Sequence, residues 1–391
     1  MSTINADGLS RRVALIYAFF PHYRAPVMRA LARSSRYQFQ FWGSVEKVEG
    51  IEPCPQDELV RINPLIYRNT RFGWRIHGYW KPVLSRDTKA LIVLGNPNLL
   101  DTWLIALVGR ALGKKVLFWT HGWLRKEPRF KAFVRNVYFA LAHRVLTYGE
   151  RARMIASRSG FPAERIAPIY NSLDWAKARA VVSELKHRDS SSASRLTRAE
   201  TEPSVLICTA RLTKLCRFDL LLQAMEMLKT RCVPTRLVLV GDGPERNALQ
   251  EQAERLQLDV TFVGALYDEQ RLGELLYAAD ITVSPGKVGL TAVHSLMYGT
   301  PVITHGNADA QMPEVEAVVP GSTGLFFQEG SAEDLAAKIE TWLSAERDRD
   351  DVRARCRMMI ETKYNPETQR QLIENALDNV LNVTTPQTVN S

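Results

Sequence analysis

Arg211, Lys214 and Arg217 fall within seven residues of one another, directly after the apolar run at residues 205–210. Three cations at the end of a buried strand outline a phosphate site. A guanidinium gives two parallel hydrogen bonds to phosphate oxygens, and a neighbouring Lys adds a point charge that offsets the second negative charge of a diphosphate. The same turn also reads as a solvated basic surface. Gly241 and Gly243 follow a second apolar run and precede Pro244, a residue suited to the first position of a helix. Glycines there permit positive φ and close approach of backbone to a ligand. A third run ends at Ser284 and leads into Gly286, Lys287, Val288, Gly289, Leu290 and Thr291. A helix beginning near Gly289 would offer free backbone amides and its positive dipole end to a phosphate. His294, farther along that helix, is a candidate ribose or base contact, or else a capped or core histidine.

The first half offers two further groups. His22, Tyr23 and Arg24 follow the first apolar run, and His121, Gly122 and Trp123 follow the run at 115–120. A His at such a strand end either touches a ligand or caps the strand. Asp348 and Asp350 have the spacing of a metal-binding pair but lie in a charge run at 346–351, which reads as solvated surface. No Walker loop or serine nucleophile elbow is present, and no metal or cofactor is expected.

These groups need a scaffold that brings strand ends together. Short β-rich runs alternate with helical patterns throughout, the pattern of parallel sheets wrapped by helices. Strands are expected at 12–18, 37–42, 90–95, 115–120, 144–148 and 166–170, then at 204–210, 236–240, 259–263, 280–284, 301–304 and 325–327. At 128–142, Phe130, Phe133, Val134, Val137 and Leu141 form one helical stripe, with Arg129, Lys131 and Arg135 on other faces; the expectation is a core face. The polar, Ser-rich stretch 186–203 reads as a linker or mobile loop. The expected organisation is therefore a first domain at 1–185, the linker, a second domain at 204–365, and a helix and tail at 366–391 packing back on the first domain. Two doubly wound α/β halves would make a cleft, with ligands outside the carboxyl ends of the strands.

The 391 residues are 46% apolar and carry a net charge of +9. Residues 1–190 hold 31 Lys and Arg against 14 Asp and Glu, whereas the remainder is acidic by eight charges. A basic half suits an anionic partner such as a phospholipid surface, a lipid-linked diphosphate or nucleic acid, or is a set of solvated helices. No nucleic-acid module is recognisable, so nucleic acid is not expected. Five scattered cysteines form no Cys-x-x-Cys pair, which fits a reducing cytoplasm. The N-terminal residues lack a signal peptide's apolar core, and no apolar run reaches the roughly 18 residues needed to span a bilayer. A cytoplasmic protein, peripheral on the inner face of the plasma membrane, is the expectation.

The strand followed by Arg-Leu, the cationic turn, Gly-Asp-Gly-Pro, the glycine turn running to Tyr-Gly-Thr-Pro-Val-Ile, Met-Pro-Glu-Val-Glu, and Gly-Ser-Thr-Gly-Leu-Phe-Phe resemble the nucleotide-sugar domain of glycosyltransferase family 4. The likeness is strongest at 204–327. It implies a GT-B fold, two Rossmann-like domains facing each other across a cleft, and a retaining transferase using a nucleoside-diphosphate sugar as co-substrate. In that family the Arg of Arg-Leu and a Lys five residues on grip the donor diphosphate. Arg211 matches, but Cys216 holds the Lys position, so Lys214 or Arg217 must supply the second cation. The family's paired glutamates fall on Gly286 and His294. The first cannot contact a donor sugar through a side chain, whereas an imidazole can hold ribose hydroxyls as the second Glu does. His121 resembles the family's sugar-contacting His. His22, Tyr23, Arg24 and Trp123 fall in the acceptor half.

The resemblance thus implies transfer to a lipid-linked or oligosaccharide acceptor in cell-surface polysaccharide or glycan assembly. Two alternatives stay open: a nucleotide-sugar epimerase of the same fold, and an inactive nucleotide-binding partner of another transferase.

Overall fold

The computed structural model describes residues 11–48, 51–70, 73–191 and 202–383. The chain forms two compact units, 1–173 with 365–391, and 174–364. Both are doubly wound α/β units of the Rossmann type.

In the first unit, β1 (Arg11–Phe19), β2 (Tyr37–Ser44), β3 (Ile62–Pro64), β6 (Thr88–Leu94), β7 (Lys115–Thr120), β8 (Arg144–Thr147) and β9 (Ile166–Pro168) form one sheet in the order β3-β2-β1-β6-β7-β8-β9. Every pairing in it is parallel. β4 (Ile66–Thr70) and β5 (Gly73–His77) make a separate antiparallel hairpin. Strand order reverses between β1 and β6. Because side chains alternate along a strand, Val13, Leu15 and Tyr17 enter one core while Ala14, Ile16 and Ala18 enter the other. The first core is closed by the C-terminal helix Pro366–Leu381, whose Ile373, Ala376 and Leu377 are buried in it. Asn365 caps that helix at the Thr368 amide, 2.9 Å. Gln369 bonds the Tyr170 carbonyl at 2.6 Å, and Tyr37 donates to Asp378 at 2.5 Å.

In the second unit, β10 (Ser204–Thr209), β11 (Thr235–Val240), β12 (Val260–Gly264), β13 (Ile281–Ser284), β14 (Val302–His305) and β15 (Gly324–Phe327) run in the order β12-β11-β10-β13-β14-β15, all parallel. The chain winds outward from β10 to β12, then restarts at β13 on the other side. The switch point lies between β10 and β13.

Two expectations are corrected. The segment 186–203 does not begin as a loop: helix Trp175–Ser191 runs through its first six residues, and 192–201 lie outside the described residues. That helix belongs to the second unit, where Gln270 donates to Glu184 at 3.1 Å, so the boundary falls after Leu173. The stripe on helix Arg129–Ala140 is not a core face. Phe130 is 79% and Phe133 66% exposed, and Tyr138 and Phe139 supply the buried face instead. Tyr138 stacks on Phe118 at 4.5 Å, which turns the Tyr138–Phe139 side of the helix to the sheet and leaves Phe130 and Phe133 outside. No helix among the described residues is long and apolar enough to cross a membrane.

Candidate functional site

The second unit assembles its candidate site at the carboxyl ends of β10 and β13, on the switch point. The backbone after β10 continues the ladder: Ala210 donates to Val240 and Leu212 to Asp242, both 3.0 Å. This close run explains the two glycines beside it. A Cβ at Gly241 would lie 1.9 Å from the Ala210 carbonyl oxygen, and one at Gly243 would lie 2.3 Å from that of Leu212. The glycines are required by chain meeting chain, in place of the close ligand approach expected of them.

Past Leu212, the short turn Lys214–Cys216 folds back onto the glycine turn after β13. Gly286 donates its amide to the Cys216 carbonyl at 3.0 Å, and a Cβ at 286 would lie 2.0 Å from the Leu215 carbonyl oxygen. The position where the family carries its first Glu therefore faces backbone. The Cys216 thiol, at the family's Lys position, turns inward to the Arg211 carbonyl, 3.1 Å.

Arg211, Lys214 and Lys287 are exposed, and among the described residues none of their side chains is hydrogen-bonded or ion-paired. Arg217 differs. It adopts φ +53° and grips Asp219 with Nε to Oδ1 at 3.1 Å and Nη2 to Oδ2 at 3.2 Å. Lys214, unlike Arg217, has no carboxylate partner among the described residues.

Helix Leu290–Met297 starts at Gly289 with no side-chain cap. The first-turn amides of Leu290 and Thr291 have no intrahelical acceptor. Two neighbours are already spoken for: the Val288 amide donates to buried Gln311 at 2.7 Å, and the Thr291 hydroxyl donates to the Thr209 carbonyl at 2.9 Å. Neither is available to a phosphate, which corrects the expectation for those two groups.

His294 is neither free nor packed among aliphatic side chains. Its Nε2 lies 3.0 Å from Glu269 Oε1, which also accepts from the Tyr298 hydroxyl at 2.6 Å. Burial pushes the Glu269 carboxyl toward neutrality, but the His294 and Tyr298 bonds outweigh it and hold the group below its ordinary range. His294 thus stands as one member of a His–Glu–Tyr cluster. Glu269 escaped detection because it opens a different helix, Glu269–Ala278, 25 residues away.

In the first unit, His22, Tyr23 and Arg24 form a short turn after β1. The Arg24 guanidinium lies 4.7 Å from the ring centroids of both Tyr17 and Trp119. Nη2 donates to the hydroxyls of Tyr17, at 3.3 Å, and Tyr148. Its Nε and Nη1, and the Trp119 indole nitrogen, are buried without a partner. All three unpartnered atoms of this cage are N–H donors, so it suits an acceptor-only group such as a carboxylate or phosphate. Burial keeps the Tyr148 hydroxyl far above its ordinary pKa despite the adjacent guanidinium. His121 is exposed and sits on the Tyr148 ring at 4.8 Å, joining the expected sugar contact to the Arg24 cage. Trp123 does not join them. It is 2% exposed, donates to Asn136 at 3.0 Å and packs on Phe139 and Phe161, so it is a core residue and its acceptor assignment is withdrawn.

Asp348 caps helix Arg349–Thr362 through the Asp350 amide at 2.8 Å. Among the described residues no cluster of three His, Cys, Asp or Glu could hold a metal ion.

Residues 192–359 match the family model described as glycosyl transferases group 1. The GDP-mannose-dependent alpha-(1-6)-phosphatidylinositol dimannoside mannosyltransferase of Mycobacterium tuberculosis is 34% identical over 102 residues, which is 25% of this chain and 26% of that relative. The chain thus matches about a quarter of that relative's length. EpsF of Bacillus subtilis is 26% identical over 74% of this chain and 76% of its own. The crystal structure of Anabaena HepE in complex with UDP superposes with a TM-score of 0.69 over 94% of this chain and all of HepE, at 16% identity. The two Rossmann-like units are those of the GT-B fold, and it is the second, with its cationic switch point, that carries all of the group 1 match.

Proposed function

We propose that this protein is a metal-independent retaining glycosyltransferase that moves a sugar from a nucleoside-diphosphate donor to a lipid-linked or oligosaccharide acceptor. One observation carries the reading: Arg211, Lys214 and Lys287, three cations unpaired among the described residues, stand beside an uncapped helix start at the β10–β13 switch point. Doubly wound sheets bind their ligands at such a point. The group 1 match, the lipid-directed mannosyltransferase and UDP-bound HepE support the donor and acceptor classes.

In this reading the bond between the anomeric carbon and the diphosphate oxygen breaks, and its electron pair stays on that oxygen. Arg211, Lys214, Lys287 and the helix amides offset the growing charge. The acceptor hydroxyl attacks the same face and passes its proton to the departing phosphate. His121 orients the sugar, and the Arg24 cage holds an anionic group of the acceptor. The Glu269–His294 pair takes the ribose.

The test has two stages. A thermal-shift screen of UDP, GDP, dTDP and ADP identifies the base, and the matching nucleotide sugars are then assayed for nucleotide release with and without lipid-diphosphate and oligosaccharide acceptors. Acceptor-dependent release is expected. Conversion of the donor alone would indicate an epimerase, and binding without turnover an inactive partner subunit.

A further inference from the structure

Two neighbouring helices of the first unit each turn an apolar stripe to solvent. On helix Arg129–Ala140, Phe130, Phe133, Val134 and Val137 are all exposed. At roughly 100° per residue they span about a third of the helix circumference, with Arg129 near one edge of the stripe and Lys131 near the other. On helix Leu100–Ala111, Leu100, Leu104 and Leu107 repeat the pattern, 40–57% exposed. Both helices cover the same face of the sheet, since Ile105, Ala106, Tyr138 and Phe139 share one core. Trp103 of one packs at a tilt against Tyr138 of the other, ring centroids 4.7 Å apart, and Tyr138 donates to Thr102 at 2.7 Å. The two stripes therefore lie on adjacent elements and leave the same core behind them.

Charge decides what covers this face. Residues 102–149 hold nine Lys and Arg and a single acidic residue, Glu127, which Arg135 already pairs at 2.8 Å. Arg110, Arg125, Lys126, Arg129 and Lys131 are exposed around the stripes. A second copy would set this cationic rim against its like. An anionic bilayer accepts both features: Phe and Leu side chains enter the boundary of headgroups and acyl chains, while Lys and Arg stems extend to lipid phosphates.

We infer that helices Leu100–Ala111 and Arg129–Ala140 form the face by which the first unit docks on an anionic membrane surface, Phe130 and Phe133 inserting and Arg129 and Lys131 contacting lipid phosphates. The site is distinct from the nucleotide site and stands without the transferase reading, because its readout is vesicle binding.

The full chain is sedimented with vesicles of phosphatidylglycerol mixed with phosphatidylcholine, and with phosphatidylcholine alone. Binding to the anionic vesicles and little to the neutral ones is expected, weakening as salt rises. The variant Phe130→Ser with Phe133→Ser is expected to lose roughly tenfold or more in partitioning, since each Phe forfeits its apolar burial. Arg129→Gln with Lys131→Gln is expected to lose roughly fivefold per charge. Both pairs are exposed, so the variants keep the circular dichroism spectrum and nucleotide-induced thermal shift of the parent. Equal partitioning of parent and Phe variant, or a parent that binds neither vesicle, would overturn the inference. So would a concentration-dependent dimer abolished by the Phe substitutions.

Discussion

The Cα of Gly286 sits so close to the Leu215 carbonyl oxygen that an added Cβ would lie 2.0 Å from it. The obstacle is backbone, itself tied by the bond from the Gly286 amide to Cys216. Restoring the family's glutamate with Gly286→Glu is therefore expected to destabilise the protein by about 1–3 kcal/mol or more, as overpacking does. Urea denaturation checks this. An unshifted midpoint would mean that the Lys214–Cys216 turn swings aside.

Arg211→Ala and Lys214→Ala remove cations with no protein partner, so neither leaves an unpaired group behind. Each should keep its melting temperature while nucleoside-diphosphate affinity falls, by about 1.5–3 kcal/mol for Arg211. Arg217→Ala should weaken nucleotide binding far less, because its guanidinium is committed to Asp219. Calorimetric titration of the three variants separates these outcomes, and an equal loss at Arg217 would place it in the site.

His294 and Glu269 should behave as one unit. His294→Ala strips the half-buried Glu269 carboxylate of a partner and is expected to cost about 1–2 kcal/mol of stability, with nucleotide affinity falling in parallel. Glu269→Gln combined with His294→Ala should cost less than the separate losses predict. A double-mutant cycle measures that coupling, and strict additivity would disprove it.

Arg24→Met replaces a buried guanidinium that has two unpaired nitrogens with an apolar chain able to fill the same aromatic slot. Loss of an uncompensated buried charge favours the folded state. The variant is expected to melt no lower than the parent while acceptor-dependent turnover falls, provided that the cage holds an acceptor anion. Unchanged turnover would make Arg24 a packing residue.

Acid should destabilise the first unit through His143. Burial first, then the charges of nearby Arg110 and Lys115, push the His143 ring down to about 4 in the folded protein; its Nδ1 accepts the Val116 amide at 3.0 Å. Between about 6.5 and 4 the unfolded chain binds this proton and the folded chain does not, so stability is full above pH 6.5 and is lost as pH falls toward 4. His143→Gln removes that slope. Urea midpoints across this range, parent against variant, test the sign.

The sheet strands were legible because parallel strands covered on both faces read as continuous apolar runs. Residues 115–120 are such a run, and β7 occupies them entirely. The hairpin β4–β5 lay hidden, since Arg68, Asn69 and Thr70 interrupt any apolar pattern and its Tyr67–Trp74 stack is a cross-strand event. The cations at 211 and 214 could be read from position alone. Their partners could not: whether Arg217 reaches a phosphate or Asp219 depends on one left-handed φ, and whether a His meets a Glu from another helix depends on packing. The stripe at 128–142 misled for a similar reason. A helix wheel shows that one face is apolar, but not which face the sheet receives.

The route of the chain has a consequence for how the protein is made. On the ribosome the N-terminal residues emerge first, yet the core that holds Leu15, Met28 and Phe41 also needs Ile373, Ala376 and Leu377 from near the other end. Residues 174–364 are contiguous and can complete their own core during synthesis. The usual N-to-C order of domain folding is thereby reversed: the β1 sheet waits, incompletely covered, until residues 366–381 have been made, and its aggregation-prone interval spans the synthesis of the entire second unit.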